Sequence, residues 1–341
     1  MSAIAVEVIR NQDELIAFRS EWEGVVRAAG APTPFQTPEW LLTWWEYFGS
    51  GRLHVLVFRD GTEAAGVLPC FLHEWKARRQ LTLIGTGISD YLDPVFDGSR
   101  REPIVEALRS HLARDREWDV CDWQDLSTGT PLEALGKGSD DTPCSQIRFG
   151  PSFEDFLTER PKDLRRNLRR YREKAEALGK VRFAVAREAD PDLLDALIAL
   201  HAARWQRSGQ AGTIESNHAA EFLRATAGIF ARRDWLRIFT VEFQARIAAI
   251  VLAFRNQSTI FSYLSAYDPE YEKFGFGREL LLQALQYAHG HGHTCWNFLR
   301  GEEPYKFSWG AERIAKRRVV VEGAQGVKPE KYQAAGIWVS S

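Results

Sequence analysis

The stretch LRIFTVEFQARIAAIVLAFRNQSTIFSYLSAYDPEYEKFGFGRELLLQALQYAHGHGHTCWNFLRGEEPYKFSWG, residues 236–310, decides the fold. Residues 235–241, 247–254 and 259–265 are three β-branched and aromatic runs, each the length of a strand. Gln244-Ala245-Arg246 is a turn between the first two, and the second run is too continuously apolar for a one-sided edge strand. Residues 267–278 form a loop with Gly275 and Gly277 one residue apart, opening onto Glu279-Leu280-Leu281-Leu282-Gln283-Ala284-Leu285, a strong helix former. A strand, a glycine-bearing loop and a helix N-terminus in that order make an anion site. First-turn amides have no partner within the helix, the dipole favours negative charge there, and glycine lets a phosphate approach the backbone. The same two glycines also suit a helix entry where no side chain fits. Antiparallel strands before the loop exclude the repeated βαβ of a dinucleotide fold, and the lack of Gly-Lys-Ser/Thr excludes a P-loop.

Outward from this stretch, composition narrows the class. A chain of 341 residues, 45% hydrophobic and with 12 Trp, has length for two domains and ample core. A net charge of −2 argues against a chain-wide nucleic-acid footprint, so no DNA partner is expected. Cys70, Cys121, Cys144 and Cys295 lack Cys-x-x-Cys spacing and read as core thiols of a reducing compartment. The N-terminus has no basic region followed by an apolar run, and no stretch approaches the ~18 apolar residues of a membrane span. The expected location is the cytoplasm. His289, His291 and His293 alternate in a Gly-rich turn and read as solvated loop residues, so no metal is expected.

The rest of the chain echoes the opening stretch. Residues 4–9 read as a strand, and Asn11 caps a helix carrying Leu15, Phe18, Trp22 and Val25. Thr37-Pro38-Glu39 opens a second helix loaded with Trp40, Leu41, Trp44, Trp45 and Phe48. Residues 53–58 and 64–72 form a hairpin about Asp60-Gly61, 80–85 are a third strand, a helix carries Ile104, Leu108 and Leu112, and 118–123 are a strand. Segments 53–58, 64–72 and 81–84 thus answer 236–241, 247–254 and 260–264. The helix around Leu108 answers that around Leu285, and 118–123 answers 294–298. Tyr91-Leu92-Asp93-Pro94 stands where Tyr267-Asp268-Pro269 stands, with no Gly-x-Gly after it. The expected fold is α/β (α+β): tandem domains at 1–150 and 151–325, each a mixed, mostly antiparallel sheet flanked by helices, then a tail at 326–341. The boundary is expected within 128–151, rich in Gly, Ser, Thr, Asp and Pro.

Residues 161–179 predict a long helix. Leu164, Leu168, Tyr171, Ala175 and Leu178 line its apolar stripe, and Lys162, Arg165, Arg166, Arg169, Arg170, Arg172 and Lys174 cover the rest. That face is either simply solvated or an anion surface for a phosphorylated acceptor, a glycan-carrier diphosphate or lipid head groups. In the helix predicted at 190–208, Leu193, Leu194, Leu197, Leu200 and Ala203 face the core, and His201, Arg204 and Trp205 cluster near its end. His201 either gains from the helix dipole or serves as a base in an acceptor cleft. The loop at 207–213 suits ordering over a substrate.

The run Pro-x-Tyr-x-x-x-Gly-x-Gly resembles the pyrophosphate-binding motif of the GNAT acyltransferases, with Pro269, Tyr271, Gly275, Gly277 and Leu280 on its pattern. It departs at Glu272, where that family usually has Arg or Gln; Lys273 and Arg278 flank the departure. Further motifs follow in a matching order. They are Pro34-Phe35-Gln36-Thr37-Pro38-Glu39-Trp40 with Trp44-Trp45, the Arg-rich residues 164–170, His201 with Arg204-Trp205, and Phe298 to Gly310 with its Gly-x-x-x-Tyr-Lys-x-x-Trp-Gly. Over nearly the whole chain these resemble the cellulose-biosynthesis (CelD/BcsL-type) branch of GNAT acyltransferases, which is similar to the Fem peptidyltransferases.

The resemblance implies tandem GNAT-like domains, the first degenerate at its donor site, and an acyltransferase of the EC 2.3.1 class. It implies acyl-CoA, acetyl-CoA or longer, as co-substrate. The acceptor would be a small molecule or a lipid or glycan precursor of the envelope or an exopolysaccharide, with peripheral membrane contact through the Arg-rich helix left open. Acyl transfer needs a donor site, a base and an oxyanion site. Lys273, Phe274, Gly275, Phe276, Gly277 and Arg278 would hold the phosphates, and the backbone from Ser265 and Ala266 to Tyr267 the thioester carbonyl. Lys306, where Fem-like enzymes place a lysine, is either a charge at the reacting centre or a salt bridge to Glu302 or Glu303. Asp268 and His201 are candidate bases, Asp268 alternatively a turn former. Tyr263 or Tyr267 would protonate the leaving thiolate, and Arg169, Arg204, Trp205, Arg300 and Tyr305 would meet the acceptor. Two other readings stand beside this one: a Fem-like transferase using aminoacyl-tRNA, and a non-catalytic module that binds an envelope assembly.

Overall fold

The Asn11 side chain accepts the amide of Glu14 and so starts the first helix, with Asp13 and Glu14 favoured by the dipole in its first turn. The computed structural model describes residues 3–30, 33–208 and 217–323, the side chains of 204–208 and 217 excepted. The expected tail at 326–341 and most of the loop at 207–213 lie outside the described residues. Two units emerge, residues 3–142 with 315–323, and residues 143–314.

The first unit runs β1 (Ala5–Ile9), α1 (Gln12–Ala28), α2 (Pro38–Phe48), β2 (Arg52–Leu53), β3 (Val55–Asp60), β4 (Glu63–Leu68), β5 (Cys70–Trp75), β6 (Arg78–Leu83), β7 (Val95–Phe96), α3 (Arg101–Arg114) and β8 (Val120–Ser127). Gly61 takes φ +61 at the β3–β4 turn, a left-handed position that suits glycine. One sheet is β1-β3-β4-β7. The sequence predicts one strand over 64–72, but it breaks at Pro69, which has no amide for a ladder. Residues before it pair with β3 and residues after it with β6.

β9 (Lys137–Arg148) carries the chain into the second unit. Within 128–151, where the sequence places the boundary, residues 144–148 pair antiparallel with β14, so ladder formation overrides weak local propensity. There follow α4 (Phe153–Thr158), α5 (Lys162–Glu176), β10 (Val181–Ala186), α6 (Pro191–Ser208), α7 (Asn217–Arg232), β11 (Leu236–Phe243), β12 (Arg246–Arg255), β13 (Thr259–Tyr267), α8 (Phe276–Gly290), β14 (Cys295–Arg300) and α9 (Pro304–Ser308). β15 (Glu312–Glu322) closes the described chain, and its residues 316–322 pair with β8 in the first unit. The strands of the second unit lie in the order β10-β11-β12-β13-β14-β9.

Both units follow one plan: a strand, two helices, three antiparallel strands, a helix, and a strand parallel to the third. In the first, β6 and β8 are the parallel pair around α3; in the second, β13 and β14 around α8. The fold is mixed α/β in tandem. In the second unit Leu280, Ala284 and Leu285 of α8 bury against Phe239, Val251 and Trp296 of the sheet. Leu164, Leu168 and Ala175 of α5 join the same core, each leucine worth about 1.5–3 kcal/mol of burial. That packing holds α5 beside the N-terminus of α8.

Candidate functional site

The bend between β13 and α8 is built by side chains that leave its backbone open. Asp268 Oδ1 accepts the amide of Glu270 at 2.9 Å and its Oδ2 takes Arg246 at 2.9 Å, which wraps residues 269–274 as a 3-10 turn. Gly275 then turns left-handed, φ +62, and α8 begins at Phe276. Phe274 and Phe276 are buried, their centroids 5.6 Å apart, and both pack on Phe243. The amides of Arg278 and Glu279 return to the Gly275 carbonyl, while those of Phe276 and Gly277 make no backbone hydrogen bond among the described residues. Gly277 is exposed, and a Cβ on it would touch only Tyr267, at 3.8 Å. Open amides at the positive end of a helix attract an anion.

Helix α5 lies over this bend. The Tyr171 ring packs on Gly275 so closely that a Cβ there would stand 2.8 Å from it. Arg172 pairs with Glu279 in the first turn of α8. The guanidiniums of Arg170 and Arg278 lie 5.2 and 5.8 Å from the Tyr171 ring, and the ammoniums of Lys174 and Lys273 lie 5.4 and 5.2 Å from the Phe274 ring. Hydrogen bonding to Arg170, and then to Arg278, holds the Tyr171 hydroxyl below the usual phenol range. Four cations therefore ring the bend against the exposed carboxylate of Glu272.

A gap in the sheet leads to it. β13 and β14 are parallel partners only where residues 259–261 face 295–297. Beyond that β13 bulges at Tyr263, since Leu252 faces Leu264 while Ala253 faces Ser262. β14 bends at a bulge of its own, where Leu299 adopts φ +61 and its amide is held by Asn297 Oδ1 at 2.8 Å. Residues 262–267 thereby lose their β14 partner, and 262–265 stand half-exposed in mid-sheet. Ser265 is on this edge and Ala266 is buried opposite Ile250. Neither bulge is legible in the residue pattern; the polar Ser262 and Ser265 within an otherwise apolar strand are the only hint.

The first unit opens and fills the same gap. β6 and β8 pair over 80–82 and 120–122, and Asp125 takes φ +58 where Leu299 does in the second unit. There Leu92 donates its amide to the Asp125 carbonyl at 3.0 Å, and Ser89, Asp90, Tyr91 and Leu92 are buried. Trp40 Nε1 donates to Ser89 Oγ at 2.7 Å and fixes that loop.

Several predicted residues have other work. Lys306 is 2% exposed; its ammonium donates to the carbonyls of Arg300 at 2.8 Å and Gly301 at 3.2 Å and pairs with Glu303 at 2.8 Å. These oxygens hold Lys306 at the end of β14, and the Glu303 pair is the salt bridge offered as its alternative reading. The Gly-x-x-x-Tyr-Lys-x-x-Trp-Gly run is the same lock. Gly301 sits at φ +105, Trp309 is buried, and Gly310, at φ +83, leaves room for the Arg160 guanidinium, which donates to the Trp309 carbonyl at 2.7 Å. Asp268 forms the turn offered as its alternative reading, each carboxylate oxygen taking one partner.

His201 is buried on α6, which packs along β13. Tyr263 lies against Phe254 at 5.1 Å. Arg169 is exposed on α5, Arg300 is half-buried, and Tyr305 meets the Phe298 ring edge-on at 6.1 Å. The side chains of Arg204 and Trp205 lie outside the described residues. The structure thus gathers Tyr267 and residues 273–278 at one bend, and Arg300, Tyr305 and Lys306 at the end of β14. Tyr171, Arg170 and Lys174 were not singled out for the bend by the sequence, because only packing places α5 there. His289 faces the Gly150 carbonyl and His291 that of Tyr287, each in a different contact.

Residues 162–307, less than half of the chain, match the acetyltransferase (GNAT) domain family. No curated protein matches the sequence. Among solved structures the chain is similar to FemX, at 12% identity, 91% of this chain, 96% of that chain and a TM-score of 0.62. It is also similar to the C-terminal domain of a putative lysylphosphatidylglycerol synthetase from Agrobacterium fabrum (12%, 91%, 94%, TM-score 0.56) and to L-PGS from Bacillus licheniformis (12%, 93%, 93%, TM-score 0.56). At such identities the likeness is one of fold, and it spans both units, while the GNAT domain match itself lies within residues 162–307. No helix among the described residues is long and apolar enough to cross a membrane.

Proposed function

We propose that the chain is an N-acyltransferase of the cellulose-biosynthesis-associated type. It takes an acyl group from an acyl-CoA at the Gly275 bend and gives it to an amine of an envelope, exopolysaccharide or lipid precursor. The observation that carries this reading is the gap between β13 and β14, which runs along an unpaired strand edge to the exposed Gly277 amide. Phosphates would meet Gly277, Lys273 and Arg278, and the thioester carbonyl the edge of β13 beyond the Tyr263 bulge. The acceptor nitrogen attacks that carbonyl, the C–S bond breaks, and coenzyme A leaves as the thiol. In this reading His201 takes the amine proton and Tyr263 or Tyr267 protonates the thiolate. Arg169, Arg204, Trp205, Arg300 and Tyr305 meet the acceptor, and the exposed arginines of α5 favour an anionic one, on a carrier or at a membrane face.

A second reading, an aminoacyl-tRNA donor, is favoured by one observation. Tyr171 covers Gly275 and narrows the bend, while α5 turns exposed arginines outward over it. Thermal-shift titration with CoA, acetyl-CoA and longer acyl-CoAs separates the two. Stabilisation that is lost in Gly277→Trp supports the first. Stabilisation by charged tRNA alone moves the assignment to the second, and silence to both leaves an envelope-assembly binding module. With a donor established, His201→Gln is expected to lower kcat while leaving the donor-induced shift intact; unchanged turnover removes His201 from the chemistry.

A further inference from the structure

A polar cluster in the first unit, separate from the bend, is built from metal-ligating side chains with their donor atoms unmet. His54 sits in the interruption between β2 and β3, its amide donating to the Cys70 carbonyl at 3.0 Å. His111 is in the last turn of α3 and Asp115 is the cap that ends it, four residues on, so both project at the same helix end. Asp115 Oδ2 lies 3.1 Å from His54 Nε2 and 3.7 Å from His111 Nε2. The donor atoms of the three residues all fall within 4.8 Å of one another.

Among the described residues none of these atoms finds a hydrogen-bond partner. His54 is 0% exposed and neither of its ring nitrogens makes a hydrogen bond, and the same holds for the buried His111 Nε2 and Asp115 Oδ2. The 3.1 Å approach between His54 and Asp115 lacks hydrogen-bond alignment. Buried polar atoms ordinarily find partners, so three residues with unmet atoms converging on one point call for a common one. The carboxylate is already oriented, because its other oxygen, Oδ1, accepts the amide of Glu117 at 2.8 Å. Glu117 itself is held by Arg10 and Arg52, each at 2.5 Å.

We propose that His54, His111 and Asp115 bind a divalent transition metal of the zinc type, as three of four ligands with water as the fourth. Two imidazoles and a carboxylate suit zinc, and ligands at about 2.0–2.1 Å around a tetrahedral ion stand about 3.3 Å apart, close to the two separations found here. The bound ion ties the C-terminal end of α3 to the β2–β3 junction. The His-x-x-x-Asp spacing at 111–115 was the sequence signal for it, and His54 could be joined to it only in space.

The test uses the full, untagged chain stripped with chelator and then titrated with Zn2+ by calorimetry, alongside the visible absorption of the Co2+ form. One ion per chain, a higher Tm on adding Zn2+ and a tetrahedral cobalt spectrum are expected. Asp115→Asn should weaken binding at least ten-fold. His111→Gln, at a partly exposed position that tolerates change, should do the same with the far-ultraviolet circular dichroism of the chain retained. Absence of binding in the wild-type chain overturns the proposal, and so does binding that both variants leave unchanged. Neither readout depends on transferase activity.

Discussion

At the residue scale, two glycines one position apart do different jobs. Gly275 holds φ +62 under the Tyr171 ring, whereas Gly277 has a compatible backbone and open space. Gly275→Ala is expected to cost about 1–2 kcal/mol from the left-handed backbone, with the ring contact added. Gly277→Ala should be close to neutral. Denaturant midpoints check both, and equal losses would mean the two positions are equivalent. Truncating Tyr171 to Ala should recover part of the Gly275→Ala loss, because the two groups touch. Lys306 is the other residue whose surroundings decide its meaning. Lys306→Ala strands buried carbonyls at the end of β14 and should lower stability by roughly 2–4 kcal/mol. A variant as stable as the wild type but without turnover would support the catalytic reading.

At the element scale, the turn between α7 and β11 is held by charge. Hydrogen bonding to Arg237, and then to Arg255, holds the Asp234 carboxyl down to about 2 from an ordinary 3.8. A depressed folded value means the stabilisation is present above the ordinary value and is lost as pH falls from about 4 through about 2. The Asp234 side chain is 49% exposed, so after solvent screening the contribution is at most about 1 kcal/mol. Asp234→Asn should therefore be slightly less stable than the wild type at pH 7, and the difference should shrink between pH 4 and pH 2. A difference that grows on acidification would show the sign to be wrong. The long segments, α5, α6, β11 and β13, were legible because their apolar spacing runs over many residues. β9 was not, since a run of Lys, Gly, Ser, Asp and Pro becomes a strand only through its pairing with β14.

At the scale of the whole molecule, the same strand–helix plan occurs twice, and among the described residues only the second unit leaves its gap unfilled. Donor binding should therefore be confined to residues 143–314. At a hundred-fold excess over Kd, a donor adds about 2.7 kcal/mol, a Tm rise of several degrees. Leu92→Ala, in the loop that fills the first gap, should lower stability by about 2–4 kcal/mol without changing donor affinity. A weakened donor affinity in that variant would place the site elsewhere. The sequence by itself determined the order of strands and helices, the repeat, and the glycine bend before α8. Each of these rests on local periodicity or on the backbone freedom of a single residue. Only the tertiary structure decided that two bulges part β13 from β14, that Tyr171 roofs Gly275, that Lys306 is locked among carbonyls, and that His54 faces His111 and Asp115. Those outcomes depend on contacts between segments far apart in the chain, such as Arg172 with Glu279, 107 residues away, and residue spacing carries no record of such meetings.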